Sequence, residues 1–111
     1  MPRDAVEHVL VLTTLPLNLD ANALARTLVE ERLVACLNVL PPMQSTYRWK
    51  DEIETESERQ VIMKTTRDRI AALQTRLREL HPYDVPEFIV VPIVEGSEAY
   101  LDWIKDSTGP G

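Results

Sequence analysis

Residues 34–65 read Val34-Ala35-Cys36-Leu37-Asn38-Val39-Leu40-Pro41-Pro42-Met43-Gln44-Ser45-Thr46-Tyr47-Arg48-Trp49-Lys50-Asp51-Glu52-Ile53-Glu54-Thr55-Glu56-Ser57-Glu58-Arg59-Gln60-Val61-Ile62-Met63-Lys64-Thr65. A strand-like run at 34–39 meets Pro41-Pro42, resumes through Tyr47 and Trp49, and turns at Lys50-Asp51. It returns as a long strand over 53–65 ending in Val61-Ile62-Met63-Lys64, so the whole reads as one long hairpin. Neither proline can donate an amide hydrogen to a ladder, which predicts a bulge or a kink at that point.

On the N-terminal side, residues 6–14 contain Val9-Leu10-Val11-Leu12, a short β-branched run closed by Pro16 and Asn18, and read as the first strand. From Asp20 the apolar residues fall at Ala21, Leu24, Ala25, Leu28 and Val29, one face of a helix running to about Arg32, with Asn18 or Asp20 as N-cap. On the C-terminal side Thr66 can cap a second helix with apolar positions at Ile70, Leu73, Leu77 and Leu80, closed by His81-Pro82. Residues 87–94, with Phe88-Ile89-Val90-Val91, read as a fourth strand. Ser97 can cap a short last helix carrying Tyr100, Leu101, Trp103 and Ile104, and 107–111 read as a disordered tail.

The order β-α-β-β-α-β with an added helix predicts an α+β, ferredoxin-like split β-α-β: a four-stranded antiparallel sheet with helices on one face plus a short C-terminal helix. With 111 residues, one domain over 1–111 is expected. The runs Val9 to Leu12 and Phe88 to Val91 are apolar on both alternating faces, whereas a half-exposed antiparallel sheet alternates apolar with polar. Two main helices cover one face only. The other face would be a larger apolar patch than a monomer normally shows, so other copies of the chain are expected to bury it.

The balance of 18 acidic against 12 basic residues gives a net charge of -6, which argues against nucleic acid and anionic membrane surfaces as partners. The single cysteine, Cys36, cannot close an intramolecular disulfide. Residues 1–6 carry Asp4 and no apolar run suited to a signal-peptide core, and no apolar stretch approaches a membrane span, so a cytoplasmic location is expected.

Few residues suggest chemistry. Cys36 reads first as a small core thiol and second as a soft donor to Cu(I) or a similar metal. His81 ends a helix where a cation is favoured, in a corner stiffened by Pro82 and Pro86 that would also hold Tyr83 and Glu87 in place. Tyr47, Trp49, Tyr83, Tyr100 and Trp103 are five of the six aromatic residues and read as packing or interface anchors. Glu52, Glu54, Glu56 and Glu58 share one side of an extended strand at spacings of roughly 6.6 Å, too wide for a compact cation cage. They read as a solvated hairpin that discourages wrong pairing. Lys64 and Glu87 lie on separate strands and suggest an ion pair. There is no phosphate-cradling glycine loop, nucleophile elbow or paired-histidine motif, and no enzymatic activity is expected.

Taken together, the strings Val29-Glu30-Glu31-Arg32-Leu33-Val34-Ala35-Cys36-Leu37-Asn38-Val39, Ser45-Thr46-Tyr47-Arg48-Trp49, Lys64-Thr65-Thr66, His81-Pro82-Tyr83-Asp84-Val85-Pro86-Glu87 and Tyr100-Leu101-Asp102-Trp103 resemble the CutA divalent-cation tolerance family. That resemblance implies a PII-like homotrimer with long strands reaching between subunits, and a link to tolerance of divalent metals, copper in particular. It places Cys36, Asn38, Tyr47, Trp49, Lys64, Tyr83, Glu87 and Trp103 in an inter-subunit, ligand-binding cleft, with His81 and Cys36 as metal ligands and copper or another divalent cation as the bound ion. The family's copper-binding pattern has a cysteine where this chain has Thr13 and a histidine pair at Leu80-His81, of which His81 is present. A glycine common after the hairpin tip is replaced by Asp51, which a left-handed turn tolerates.

The leading expectation is thus a trimeric binding protein taking a small anionic ligand or a metal. The alternatives are an enzyme using His81 or Glu87 as acid or base, and a trimeric scaffold for a partner protein.

Overall fold

The computed structural model describes residues 7–110. The elements run β1 (His8–Pro16), α1 (Ala21–Glu30), β2 (Cys36–Trp49), β3 (Glu52–Thr66), a 3₁₀ turn (Arg67–Arg69), α2 (Ile70–Leu80), β4 (Ile89–Pro92) and α3 (Glu98–Asp106). The four strands form one antiparallel sheet in the order β2-β3-β1-β4, the ferredoxin-like order expected from the sequence.

Alternation decides which side is core. Val9, Val11, Val61 and Met63 on one pleat are fully buried and pack with Leu24 and Leu28 of α1 and Leu73 and Leu77 of α2. The opposite pleat carries Leu10, Leu12, Ile62 and Lys64, all half-buried, with Ile89 and Val91 of β4 exposed beside them. In register, Cys36, Lys64, Leu10 and Val91 make one cross-strand row, and Asn38, Ile62, Leu12 and Ile89 make the next. This face lies open over most of its area; only at the Lys64 end does α3 reach it, where Lys64 Nζ lies 5.8 Å from the Tyr100 ring centroid.

The hairpin outgrows the sheet. β3 pairs with β1 only from Glu58 to Thr66, so the pairs from Gln44–Ser57 to Trp49–Glu52 have no third strand beside them. At about 3.4 Å per residue this overhang is roughly 20 Å long. It stretches the molecule to 47 × 27 × 24 Å and its radius of gyration to 15.0 Å, against about 13 Å for a compact chain of this length.

The double proline acts as expected. Val39 faces Val61 but Pro42 faces Arg59, so β2 advances three residues while β3 advances two. The extra residue reverses the pleat. Without it Tyr47 and Trp49 would point away from the face that carries Cys36 and Asn38.

Asp20 caps α1, its Oδ1 accepting the Ala23 N–H at 3.0 Å. The helix ends in a Schellman arrangement, with Leu33 N–H donating to Leu28 O and Arg32 N–H to Val29 O, and with Arg32 left-handed at φ 60. Glycine is usual there, but the arginine reaches the end of α3: Nε donates to Gly109 O at 2.6 Å and an Nη to Asp106 O at 2.7 Å. Ser97 caps α3 as expected, its Oγ accepting the Tyr100 N–H.

Three boundaries differ from the sequence reading. Thr66 does not cap α2 with its side chain: its hydroxyl donates to Asp68, and a 3₁₀ turn precedes the helix. β4 spans four residues rather than 87–94, because Glu87 is drawn to Gln60 and the ladder to β1 starts only at Ile89. The expected disordered tail is ordered at Thr108 and Gly109, where the Thr108 hydroxyl donates to Ile104 O and the Gly109 N–H to Arg32 O. Val6, where the first strand was expected to begin, and Gly111 lie outside the described residues.

Lys50 and Asp51 at the tip both have positive φ, 51 and 68, the mirror-image turn whose twist suits a two-residue hairpin. A left-handed conformation costs a residue with a Cβ about 1–2 kcal/mol, of which aspartate recovers part through local hydrogen bonding, while glycine adds about 0.5–1 kcal/mol of unfolded-state entropy. Asp51→Gly is therefore expected to stabilise the protein by on the order of 0.5 kcal/mol, read as a higher midpoint in urea unfolding. A lower midpoint would show that the aspartate side chain holds the tip.

Candidate functional site

Beyond the bulge, β2 and β3 present alternate residues to the open-face side: Tyr47 and Trp49 from β2, and Glu54, Glu56 and Glu58 from β3, with Tyr47 directly opposite Glu54. The segment between α2 and β4 closes over them with Tyr83, Asp84, Val85, Pro86 and Glu87, and Thr14 of β1 forms the floor. The result is a cavity of about 580 Å³.

His81 fixes the closing segment. Its ring is 8% exposed, and its Nδ1 accepts the Tyr83 N–H at 3.2 Å, so the ring proton sits on Nε2, which donates to Thr14 O at 2.6 Å. The His81 and Tyr83 rings then lie tilted against each other, 4.7 Å between centroids and 54° between planes. Both nitrogens are engaged, and the ring is a hinge pin for the segment. Tyr83 continues the chain of contacts, its hydroxyl donating to Glu58 Oε1 at 3.1 Å, and Glu58 is itself only 7% exposed. Gln60 joins the other side, its amide donating to Glu87 Oε2 and to Thr13 O, both at 2.8 Å.

The electrostatics are one-signed. Glu54, Glu56, Glu58, Asp84 and Glu87 supply five carboxylates to the lining, and among the described residues no lysine or arginine lines it. Desolvation pushes the Tyr83 phenol up to about 12, helped by its hydrogen bond to Glu58 and by the negative field of Glu58 and Glu56. The Tyr47 phenol is raised by the same means, desolvation first and then the Glu56 carboxylate. Both rings stay neutral.

The residues expected in one cleft fall into two groups in a single chain. Tyr47, Trp49, Tyr83 and Glu87 line the cavity together. Cys36, Asn38 and Lys64 lie along the open face toward its other end, and Trp103 sits on α3, 5.3 Å from the Tyr100 ring. Cys36 is level with Leu10 and His81 touches Thr14, four residues further along β1, which separates them by roughly 13 Å. The Cys36 thiol is half-buried, with Asn38 Oδ1 as its neighbour at 3.9 Å. Among the described residues no group of three or more His, Cys, Asp or Glu side chains could hold a metal ion. The expected Lys64–Glu87 pair is not formed, since Glu87 bonds Gln60 and Lys64 lies near Tyr100.

The sequence reading took the acidic run as a solvated surface and did not place Thr14 or Asp84 in the site. A signal was present: the period-two glutamates fall opposite Tyr47 and Trp49 across the tip, but only after the bulge is counted. The charge of the cavity is also opposite to what an anionic guest, expected from Lys64, would need.

Comparison with known proteins agrees with this architecture. The model of the CutA1 divalent ion tolerance protein family matches residues 9–107. The chain belongs to that family. It is 44% identical over 99 residues to the divalent-cation tolerance protein CutA of Thermus thermophilus, covering 89% of this chain and 96% of the relative. The solved Thermus thermophilus structure of this family superposes with a TM-score of 0.88 at 43% identity, covering 92% of this chain and 99% of the other. The CutA1 of a psychrotrophic Shewanella superposes at 0.90 with 34% identity, covering 96% and 100%. These likenesses establish the ferredoxin-like fold and the divalent-cation tolerance lineage, and the names of CutA1 relatives are not those of enzymes. No helix among the described residues is long and apolar enough to cross a membrane.

The Tyr83 environment sets a pH dependence. Its folded pKa of about 12 lies above the ordinary 10.0, so its contribution to stability is complete below pH 10 and is lost as pH rises toward 12. Absorbance titration of phenolate in the folded protein is expected to show a late step near the upper end of that range, absent in Tyr83→Phe. A late step that survives the substitution would place the perturbed phenol elsewhere.

Proposed function

We propose that this chain works in divalent-cation tolerance as a cytoplasmic homotrimer, with subunits meeting across their open sheet faces and forming clefts that take a metal ion or a small ligand. One observation carries the reading: Leu10, Leu12, Ile62, Ile89 and Val91 make apolar rows on the side away from α1 and α2, and Ile89 is 48% and Val91 36% exposed. Such rows are buried when copies associate, and closed cyclic symmetry leaves none of them uncovered. The resemblance to the CutA family points to three copies.

The overhanging hairpin supports the same reading. It holds Tyr47, Trp49 and Ile53 exposed, beyond the reach of its own core. A neighbouring subunit supplies the missing surface, bringing the group around Cys36, Asn38, Lys64 and Trp103 of one copy toward Tyr47, Trp49, Tyr83 and Glu87 of another. The function is binding rather than catalysis, since His81 has both nitrogens occupied and Glu87 is bound to Gln60. Sedimentation at micromolar concentration is expected to give a trimer, and Ile89→Glu, on the open face and away from the core, is expected to lower the assembly state. A wild-type monomer would rule the reading out.

Copper or another divalent cation is the proposed ion, with the half-exposed Cys36 thiol as its soft donor. Because Cys36 and His81 are far apart within one chain, a metal joined to both bridges two copies and requires His81 to release Tyr83. Calorimetric titration with Cu(I), Cu(II) and Zn(II) is expected to show Cu(I) affinity that falls by about tenfold or more in Cys36→Ser. Equal affinity in the variant would remove Cys36 from the metal site.

A further inference from the structure

We propose that the acidic cleft is completed by a second copy of this chain, whose Lys64 ammonium enters it and pairs with the buried Glu58 carboxylate. The proposal rests on the reading of the cleft as a place where subunits meet, and it names the side chain that fills it and the group that receives it.

Each member of the pair lacks a counter-charge within its own chain. Glu58 is 7% exposed and lines the cavity. Among the described residues its carboxylate has one hydrogen bond, at Oε1 from the neutral Tyr83 hydroxyl, and no lysine or arginine lies within ion-pair distance of it. A carboxylate taken out of water with a single neutral donor is costly until a cation reaches it. Lys64 is the converse. It is half-buried on the open face, in the cross-strand row of Cys36, Leu10 and Val91. Its Nζ lies near the Tyr100 ring and forms no hydrogen bond or ion pair among the described residues. A subunit that covers this apolar row also takes water from the ammonium, so the covering surface has to bring a carboxylate.

The two groups cannot meet inside one chain. They stand on the same pleat of β3 six positions apart, about 20 Å along the strand and beyond the reach of a lysine side chain. Glu87, the other carboxylate that the sequence sets against Lys64, is held by Gln60. Glu58 is left as the buried carboxylate of the cleft. One side of the molecule thus carries a cation among apolar rows at one end and carboxylates among aromatic rings at the other. A ring of copies lays one end of each subunit on the other end of the next, and the matched charges fix that register. Every cleft then receives one lysine, and the site is incomplete in a single subunit.

Sedimentation of the full chain in urea tests the pair as a double-mutant cycle. Lys64→Met and Glu58→Gln, the second keeping an acceptor for Tyr83, are each expected to raise the concentration at which the trimer dissociates by about tenfold or more, since each leaves one charge buried alone. The double variant is expected to return to within about threefold of the wild type, because neither charge then remains. Losses that add, either single variant with wild-type assembly, or a double variant no better than the worse single overturn the pair. A variant that loses its fold for any other reason is not rescued by the second substitution and counts against the pair in the same way. A wild-type trimer without coupling overturns the Lys64–Glu58 assignment alone, whereas a wild-type monomer overturns the reading of the cleft as a subunit contact with it.

Discussion

The one extra residue in β2 between Val39 and Pro42 governs which side of the molecule the hairpin serves. Side chains in a strand alternate, so a shift of one residue moves a whole set from one face to the other. Cys36 and Asn38 lie on the open face before the bulge, and Tyr47 and Trp49 lie on the same side after it. Pro41 and Pro42 localise the irregularity, since neither can donate to a ladder. The cleft, the open face and the overhang are therefore continuous because of a backbone feature far from any chemistry.

The cleft also depends on a hydrogen-bonded chain that runs from β1 through a loop back to β3. Thr14 O accepts from His81, His81 accepts from the Tyr83 backbone, and the Tyr83 hydroxyl donates to Glu58. Each link removes freedom from the next, so the loop arrives at the hairpin with its phenol and carboxylates already placed. Prolines at 82 and 86 restrict the intervening backbone. Within a single chain His81 acts as a structural support of the closing segment, both of its ring nitrogens being engaged.

The strand and helix order, the Asp20 and Ser97 caps, the tip at Lys50-Asp51 and the bulge were all legible, because each depends on local patterning or on what proline and glycine positions permit. The two-faced apolar strands were legible for the same reason. What escaped was set by distant partners. Nothing near Glu87 in sequence indicates that Gln60 will take it from Lys64, and nothing near Ser107 indicates that Arg32 will hold the segment that follows. The Arg32 case shows the physical reason well. A left-handed position that favours glycine keeps arginine because its guanidinium satisfies carbonyls at the end of α3, more than seventy residues away.

The placement of charge along β3 separates two roles for the acidic run. Glu54, Glu56 and Glu58 face the cleft, whereas the alternate positions Ile53, Thr55 and Ser57 carry no charge, and Ile53 is 68% exposed. Protection of a long edge from wrong pairing is met by carboxylates on either pleat and best by those that face solvent, where their repulsion is screened. Here they are concentrated where Asp84 and Glu87 approach from the opposite wall and where Tyr47 and Tyr83 lower the local dielectric. The register beyond the bulge, which sets Tyr47 opposite Glu54 and Trp49 opposite Glu52, therefore gives the acidic row its side of the molecule along with the rings.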